Sequence, residues 1–199
     1  MRLGILGGTF DPVHRGHLVL ARAARDEMGL DRVLFIPAGQ PWRKADRDVT
    51  SADQRLAMLQ LALEREETFE IVLLEIEREG PSYAADTLEA LRQDRPNDEL
   101  FFILGEDALL DMPNWARPGR IVELVMLVVA RRVGVGREAV EEAARCLPGL
   151  LERAVWLKMP LLNVSGTDVR DRASRGLPIG DLVPPAVETY IREHALYRA

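Results

Sequence analysis

Short apolar runs alternate with amphipathic stretches along almost the whole of this chain, and that alternation leaves few folds open. Arg2–Leu6, Arg32–Ile36, Phe69–Glu75, Leu100–Leu104, Val125–Ala130 and Ala154–Leu157 are rich in Val, Ile, Leu and Phe and read as strands. Between and after them, Gly16–Met28, Ser51–Glu64, Tyr83–Arg92, Arg137–Cys146, Thr167–Ser174 and Pro185–His194 read as helices. The second of these opens with Thr50 and Asp53 at the spacing of a capping box. Near-continuous apolar strands separated by helices predict a doubly wound, mostly parallel α/β sheet covered on both faces. Ligands of such sheets bind beyond the carboxyl ends of the strands, where strand order reverses. Residues that carry chemistry are therefore expected just after strands.

With 199 residues and no linker or repeat, one domain over 1–199 is expected, with a helical C-terminal portion from about 165. The net charge of −6 makes the surface as a whole repel nucleic acid, and no basic stripe is interleaved with aromatics. A phosphate-binding patch must then be local. The longest apolar run, Leu124–Ala130, is seven residues, far below a membrane span, and Leu3–Leu6 is too short and glycine-interrupted for a secretory signal. The single cysteine, Cys146, has no internal disulfide partner, so a soluble, cytoplasmic protein is expected.

The first strand runs into GGTFDPVHRGH, Gly7 to His17, which opens the first helix. Gly7 and Gly8 let backbone amides approach a bulky anion with no Cβ in the way. The spacing His14-x-x-His17 places two imidazoles on one face of the helix start, where the dipole and free N–H groups already favour phosphate. Two imidazoles there suit the charge that grows on an α-phosphate and its departing pyrophosphate. No Gly-Lys-Ser/Thr follows the glycines, and Gly16 has the wrong spacing for a dinucleotide fingerprint. Zinc is disfavoured, since neither a cysteine nor a third histidine lies nearby in sequence, and no protein-held metal site is expected. A capped turn with two solvated histidines is the plain alternative. Two of the chain's three histidines on one glycine-rich turn argue against it.

GGTFDPVHRGH resembles the nucleotidyltransferase superfamily marked by Thr/His-x-Gly-His after the first strand, and in particular the bacterial nicotinate-nucleotide adenylyltransferase family. Four later segments resemble that family in the expected order: PAGQPWRK at 37–44, EGPSYAADT at 79–87, LGEDALLDMPNW at 104–115 and NVSGTDVRDR at 163–172. The closing LVPPAVETYIREHALY is also similar, and the least matched stretch is Val135–Lys158. The resemblance implies a Rossmann-like nucleotidyltransferase fold. It also implies transfer of AMP from ATP to nicotinate mononucleotide, giving deamido-NAD and pyrophosphate.

It further implies a set of roles. His14, His17, Lys44 and Arg170 are the catalytic residues. Gly7, Gly8, Thr9, Phe10, Gly105, Asp107, Ser165 and Thr167 bind ATP, with Asp107 on the ribose. Tyr83, Ala84, Thr87, Trp115 and Arg132 bind the pyridine mononucleotide, with Trp115 stacked on the ring; Arg131 is the alternative to Arg132. Mg²⁺ arrives on the ATP. Four departures stand out: Trp42-Arg43 for Pro-His, Ala84 for threonine, Val133 for proline and Gly166 for serine. Each of the later segments, taken alone, reads as an ordinary turn or capped helix. The rival readings are another transferase of the superfamily, such as phosphopantetheine adenylyltransferase, and a non-catalytic nucleotide sensor. Homo-oligomerisation is left open.

Overall fold

A computed structural model describes residues 1–41, 49–131, 136–158 and 164–198. Among these residues the strands are β1 (Arg2–Gly8), β2 (Arg32–Pro37), β3 (Phe69–Ile71), β4 (Glu99–Gly105), β5 (Met126–Ala130) and β6 (Ala154–Trp156). They form one sheet in the order β3-β2-β1-β4-β5-β6 with every pairing parallel. The long helices are α1 (Arg15–Met28), α2 (Ala52–Leu63), α4 (Ala84–Asp94), α7 (Arg137–Cys146), α8 (Gly166–Ser174) and α9 (Pro185–Glu193). Shorter ones are α3 (Leu74–Glu77), α5 (Glu106–Asp111) and α6 (Pro118–Leu124).

Alternation along the central strands divides the core into two layers. Val33, Phe35, Phe101, Ile103 and Val128 face one layer, which α1, α2, α8 and α9 cover. Leu34, Ile36, Phe102, Leu104, Leu127 and Val129 face the other, beneath α4, α5, α6 and α7. Both sets are almost fully buried, which is why the strands read as unbroken apolar runs. Among the described residues no helix is long and apolar enough to cross a membrane.

The structure corrects three local readings. The run from Phe69 to Glu75 is not one strand: β3 stops at Ile71 and Leu74–Glu77 turns into α3. A short apolar run cannot by itself separate strand from helical turn. The cap of α2 is Ser51, whose hydroxyl accepts from the Gln54 amide at 3.3 Å, not Thr50. Finally, α5 and α6 have no counterpart in the sequence reading. Six or seven residues are too few to show a helical period, and α6 is set by Pro118 at its first position.

Candidate active site

From β1 the chain turns toward β2, and from β4 toward β5, so the loops after these two neighbours diverge. The crevice this opens is the expected ligand position of a doubly wound sheet. A cleft of about 360 Å³ occupies it. Gly7 and Gly8 at the end of β1 with Thr9 just after it, Tyr83 and Ala84 from the start of α4, and Trp115 all line this cleft. Residues from three separated segments thus share one cavity.

His14 is the extended residue that precedes α1, and His17 lies in the helix's first turn. Their rings stack with centroids 3.7 Å apart and planes at 21°. The backbone N–H of His14 donates to His17 Nδ1 at 3.2 Å, so that nitrogen is an acceptor and Nε2 carries the ring proton. Phe10 is 2% exposed and supports His17 edge-on at 5.0 Å, with Phe35 beyond it. Its side chain is core, so any contact with ATP is left to its backbone.

Behind this turn lies a buried polar cluster that the sequence reading missed. Arg55 is 1% exposed and donates to the carbonyls of Thr9 at 2.8 Å, Thr50 at 2.9 Å and Gly39 at 3.3 Å. Burial lowers its pKa, and the charge of Asp11 works against that shift. The available signal was its register: Arg55 shares the apolar face of α2 with Met58, Leu59 and Leu63. Asp11 is also buried, and its Oδ1 accepts from the Tyr197 hydroxyl at 2.7 Å. Burial first, then the nearby Asp11 charge, pushes the Tyr197 phenol far above its ordinary value, so it stays neutral.

Arg170 joins the same turn, donating through Nη1 to the Asp11 carbonyl at 2.6 Å and through Nη2 to Thr167 Oγ1 at 3.1 Å. Gly166 permits this approach: a Cβ there would lie 3.1 Å from the Asp11 carbonyl oxygen and 3.2 Å from Arg170 Nη1. Ser165 caps α8 in a reciprocal box, with its hydroxyl donating to Asp168 Oδ2 at 2.6 Å and accepting from the Asp168 amide at 3.1 Å. Lys44 and Arg132 lie outside the described residues. Arg131 is described, and its guanidinium lies 5.3 Å over the Trp156 ring.

On the opposite wall, Trp115 is half-buried, with its indole N–H donating to Asp111 Oδ2 at 3.0 Å and its ring against the edge of Phe102. Arg117 pairs with Asp86 and, at 2.8 Å, with Glu89, fastening the Trp115 segment to α4. Hydrogen bonds from Arg120 and Arg117 lower the Glu89 pKa. Ser82 ties in the loop after β2 by accepting from Gly39 N at 3.0 Å. Thr87 does not reach the cleft. It is 3% exposed, and its hydroxyl donates at 2.7 Å to the carboxylate of Glu75, which is itself part of the cleft lining. Gly105 ends β4, and Asp107 is exposed on the first turn of α5. Among the described residues no three His, Cys, Asp or Glu side chains gather into a metal cage.

Residues 5–172 match the model of the cytidylyltransferase-like family. The chain is 45% identical over 197 residues to a probable nicotinate-nucleotide adenylyltransferase of Thermomicrobium roseum, spanning 99% of this chain and 92% of that protein. It is 44% identical over 198 residues to a protein of the same description from Dehalococcoides mccartyi strain CBDB1, spanning 99% and 97%. The fold is shared with the Plasmodium falciparum nicotinic acid mononucleotide adenylyltransferase complexed with NaAD, at a TM-score of 0.78 and 20% identity over 98% of this chain and 97% of that one. A match over most of its length and close relatives end to end place this chain among the nicotinate-nucleotide adenylyltransferases of the cytidylyltransferase-like family.

Proposed function

We propose that the crevice binds ATP and nicotinate mononucleotide together and transfers the adenylyl group, giving deamido-NAD and pyrophosphate. The observation that carries this reading is the shared cleft, in which the glycine turn after β1 faces Tyr83, Ala84 and Trp115. A phosphate-binding turn and an aromatic, amide-rich wall in one cavity suit a donor triphosphate and a ring-bearing acceptor. The relatives at 44–45% identity carry the name of this activity.

In this reading a phosphate oxygen of the mononucleotide attacks the α-phosphorus of ATP in line. One P–O bond forms, the bond to the bridging α,β oxygen breaks, and pyrophosphate leaves with its electron pair. The nucleophile is already an anion, so positioning and charge stabilisation suffice without a general base. His17 Nε2–H and the stacked His14 donate to the α- and β-phosphate oxygens as charge moves onto them. Backbone amides from Gly7 to Phe10 cradle the same oxygens, and Lys44 and Arg170 hold the β,γ end with Ser165 and Thr167. Asp107, beyond Gly105, accepts from the adenosine ribose. Trp115 stacks on the pyridine, while Tyr83 and Ala84 present the opening amides of α4 to its carboxylate. Thr87 braces that helix start, and Arg132 meets the mononucleotide phosphate.

A magnesium ion fits as part of the triphosphate, because the described residues supply no cage of their own and Mg²⁺ readily keeps phosphate oxygens and water as ligands. It would neutralise charge on the leaving pyrophosphate. We assign the whole chain to one nucleotidyltransferase domain acting in the cytoplasm. Pyrophosphate release with ATP, run in parallel with nicotinate and nicotinamide mononucleotides, tests the assignment. Release is expected with both, faster with the acid; none with either acceptor removes the reading.

A further inference from the structure

The C-terminal turn contains an arrangement that the adenylyl-transfer reading does not use. After α9, Ala195 and Tyr197 both take left-handed backbone conformations, φ 50° and 62°, although neither is glycine. Such residues cost on the order of 1–3 kcal/mol and persist only where surrounding contacts over-determine them. The contact here is the Tyr197 hydroxyl, which donates to Asp11 Oδ1 at 2.7 Å across 186 positions of sequence and shares a surface cavity with Thr50. Asp11 is the buried acid of the histidine turn, its carbonyl is the acceptor for Arg170 Nη1, and its Oδ2 has no hydrogen-bond partner among the described residues. Thr50 stands where the chain returns from the 42–48 segment, and its carbonyl holds buried Arg55. One phenol thus bonds the histidine turn, lies beside Thr50, and reaches Arg170 through Asp11.

We propose that Tyr197 is a positioning residue, a latch by which the C-terminal turn fixes Asp11 and, through it, the phosphate-binding turn and Arg170 for the triphosphate. This inference rests on the adenylyl-transfer reading. A strained backbone that delivers one hydroxyl to a buried carboxylate stabilises a particular geometry at the site more than it adds apolar burial. The triphosphate end is the part of the reaction it governs, because Tyr197 and Arg170 both bond Asp11 within the histidine turn.

A double-mutant cycle on the full chain tests it, with ATP and nicotinate mononucleotide varied separately. Tyr197→Phe keeps the ring and removes the hydroxyl. It is expected to raise KM for ATP about fivefold to tenfold, as fits the net contribution of one hydrogen bond, with KM for the mononucleotide unchanged. Asp11→Asn retains an acceptor and should stay nearer the parent than Asp11→Ala. The double variant Tyr197→Phe/Asp11→Ala should be no worse than Asp11→Ala alone, since a shared contact is lost once. Equal effects on both substrates, or effects that simply multiply in the double variant, overturn the latch and leave a stabilising role. If the parent turns over and Tyr197→Phe matches it in both KM values, the latch fails while the adenylyl-transfer reading stands. A parent chain that releases no pyrophosphate removes both.

Discussion

The two ends of the crevice are built in opposite ways. At the end proposed for the triphosphate the contacts are long-range and buried or partly buried: Asp11 meets Tyr197 across 186 positions and Arg170 across 159, and Thr9 meets Arg55 across 46. At the end proposed for the pyridine they are nearer in sequence and the ion pairs are exposed: Trp115 bonds Asp111 four residues away, and Arg117 reaches Asp86 and Glu89 of α4. Buried hydrogen bonds act in a low dielectric and allow little play, whereas exposed ion pairs are screened and worth little each. On the proposed reading, charge that must be met in one geometry, on a triphosphate, falls at the stiff end. On the same reading a flat ring, which tolerates small shifts of its stacking partner, falls at the looser end.

That contrast sets the sizes of three expected effects. Replacing His17 by Ala at the stiff end should cost on the order of 10²–10³ in kcat, as removal of a donor to transition-state charge does, with the far-UV spectrum and melting curve little changed. Near-normal turnover would take His17 out of the chemistry. Trp115→Ala comes next. Loss of a stacking platform worth about 1–3 kcal/mol should raise KM for the mononucleotide roughly tenfold, with KM for ATP nearly constant. Equal changes in both constants would mean that the tryptophan serves the fold. Smallest is Arg117→Ala, expected to raise the mononucleotide KM by about threefold or less, as suits exposed pairs, with the difference shrinking in added salt. A change of an order of magnitude, or one insensitive to salt, would erase the contrast between the two ends.

How much of this was legible beforehand differs by residue. The turn from Gly7 to His17 announced itself, because glycines, histidines and a helix start lie within eleven positions. Tyr83, Ala84 and Trp115 became interpretable through resemblance, and geometry then put them in one cavity with the glycine turn. Thr87 and Phe10 looked alike on paper to their neighbours, yet their side chains point into the core. One-residue differences along a helix or turn reverse the face a side chain presents, and sequence spacing leaves that phase loose. Arg55 and Tyr197 left almost no trace. An arginine on an apolar face and a tyrosine beside the C-terminus acquire meaning only from partners dozens to nearly two hundred positions away.

Taken alone, the amino-acid order determined the alternation of strands and helices, the parallel character of the sheet and the place of the glycine–histidine turn. These follow from apolar periodicity and from residue types whose conformational limits act within a few positions. Tertiary structure decided the rest: where β3 gives way to α3, which candidates share the cleft, and how the C-terminal turn closes on Asp11. The reason is physical. Periodicity is a local property of the chain, whereas burying a charge or sharing a carboxylate needs groups that only folding brings within about 3 Å of each other.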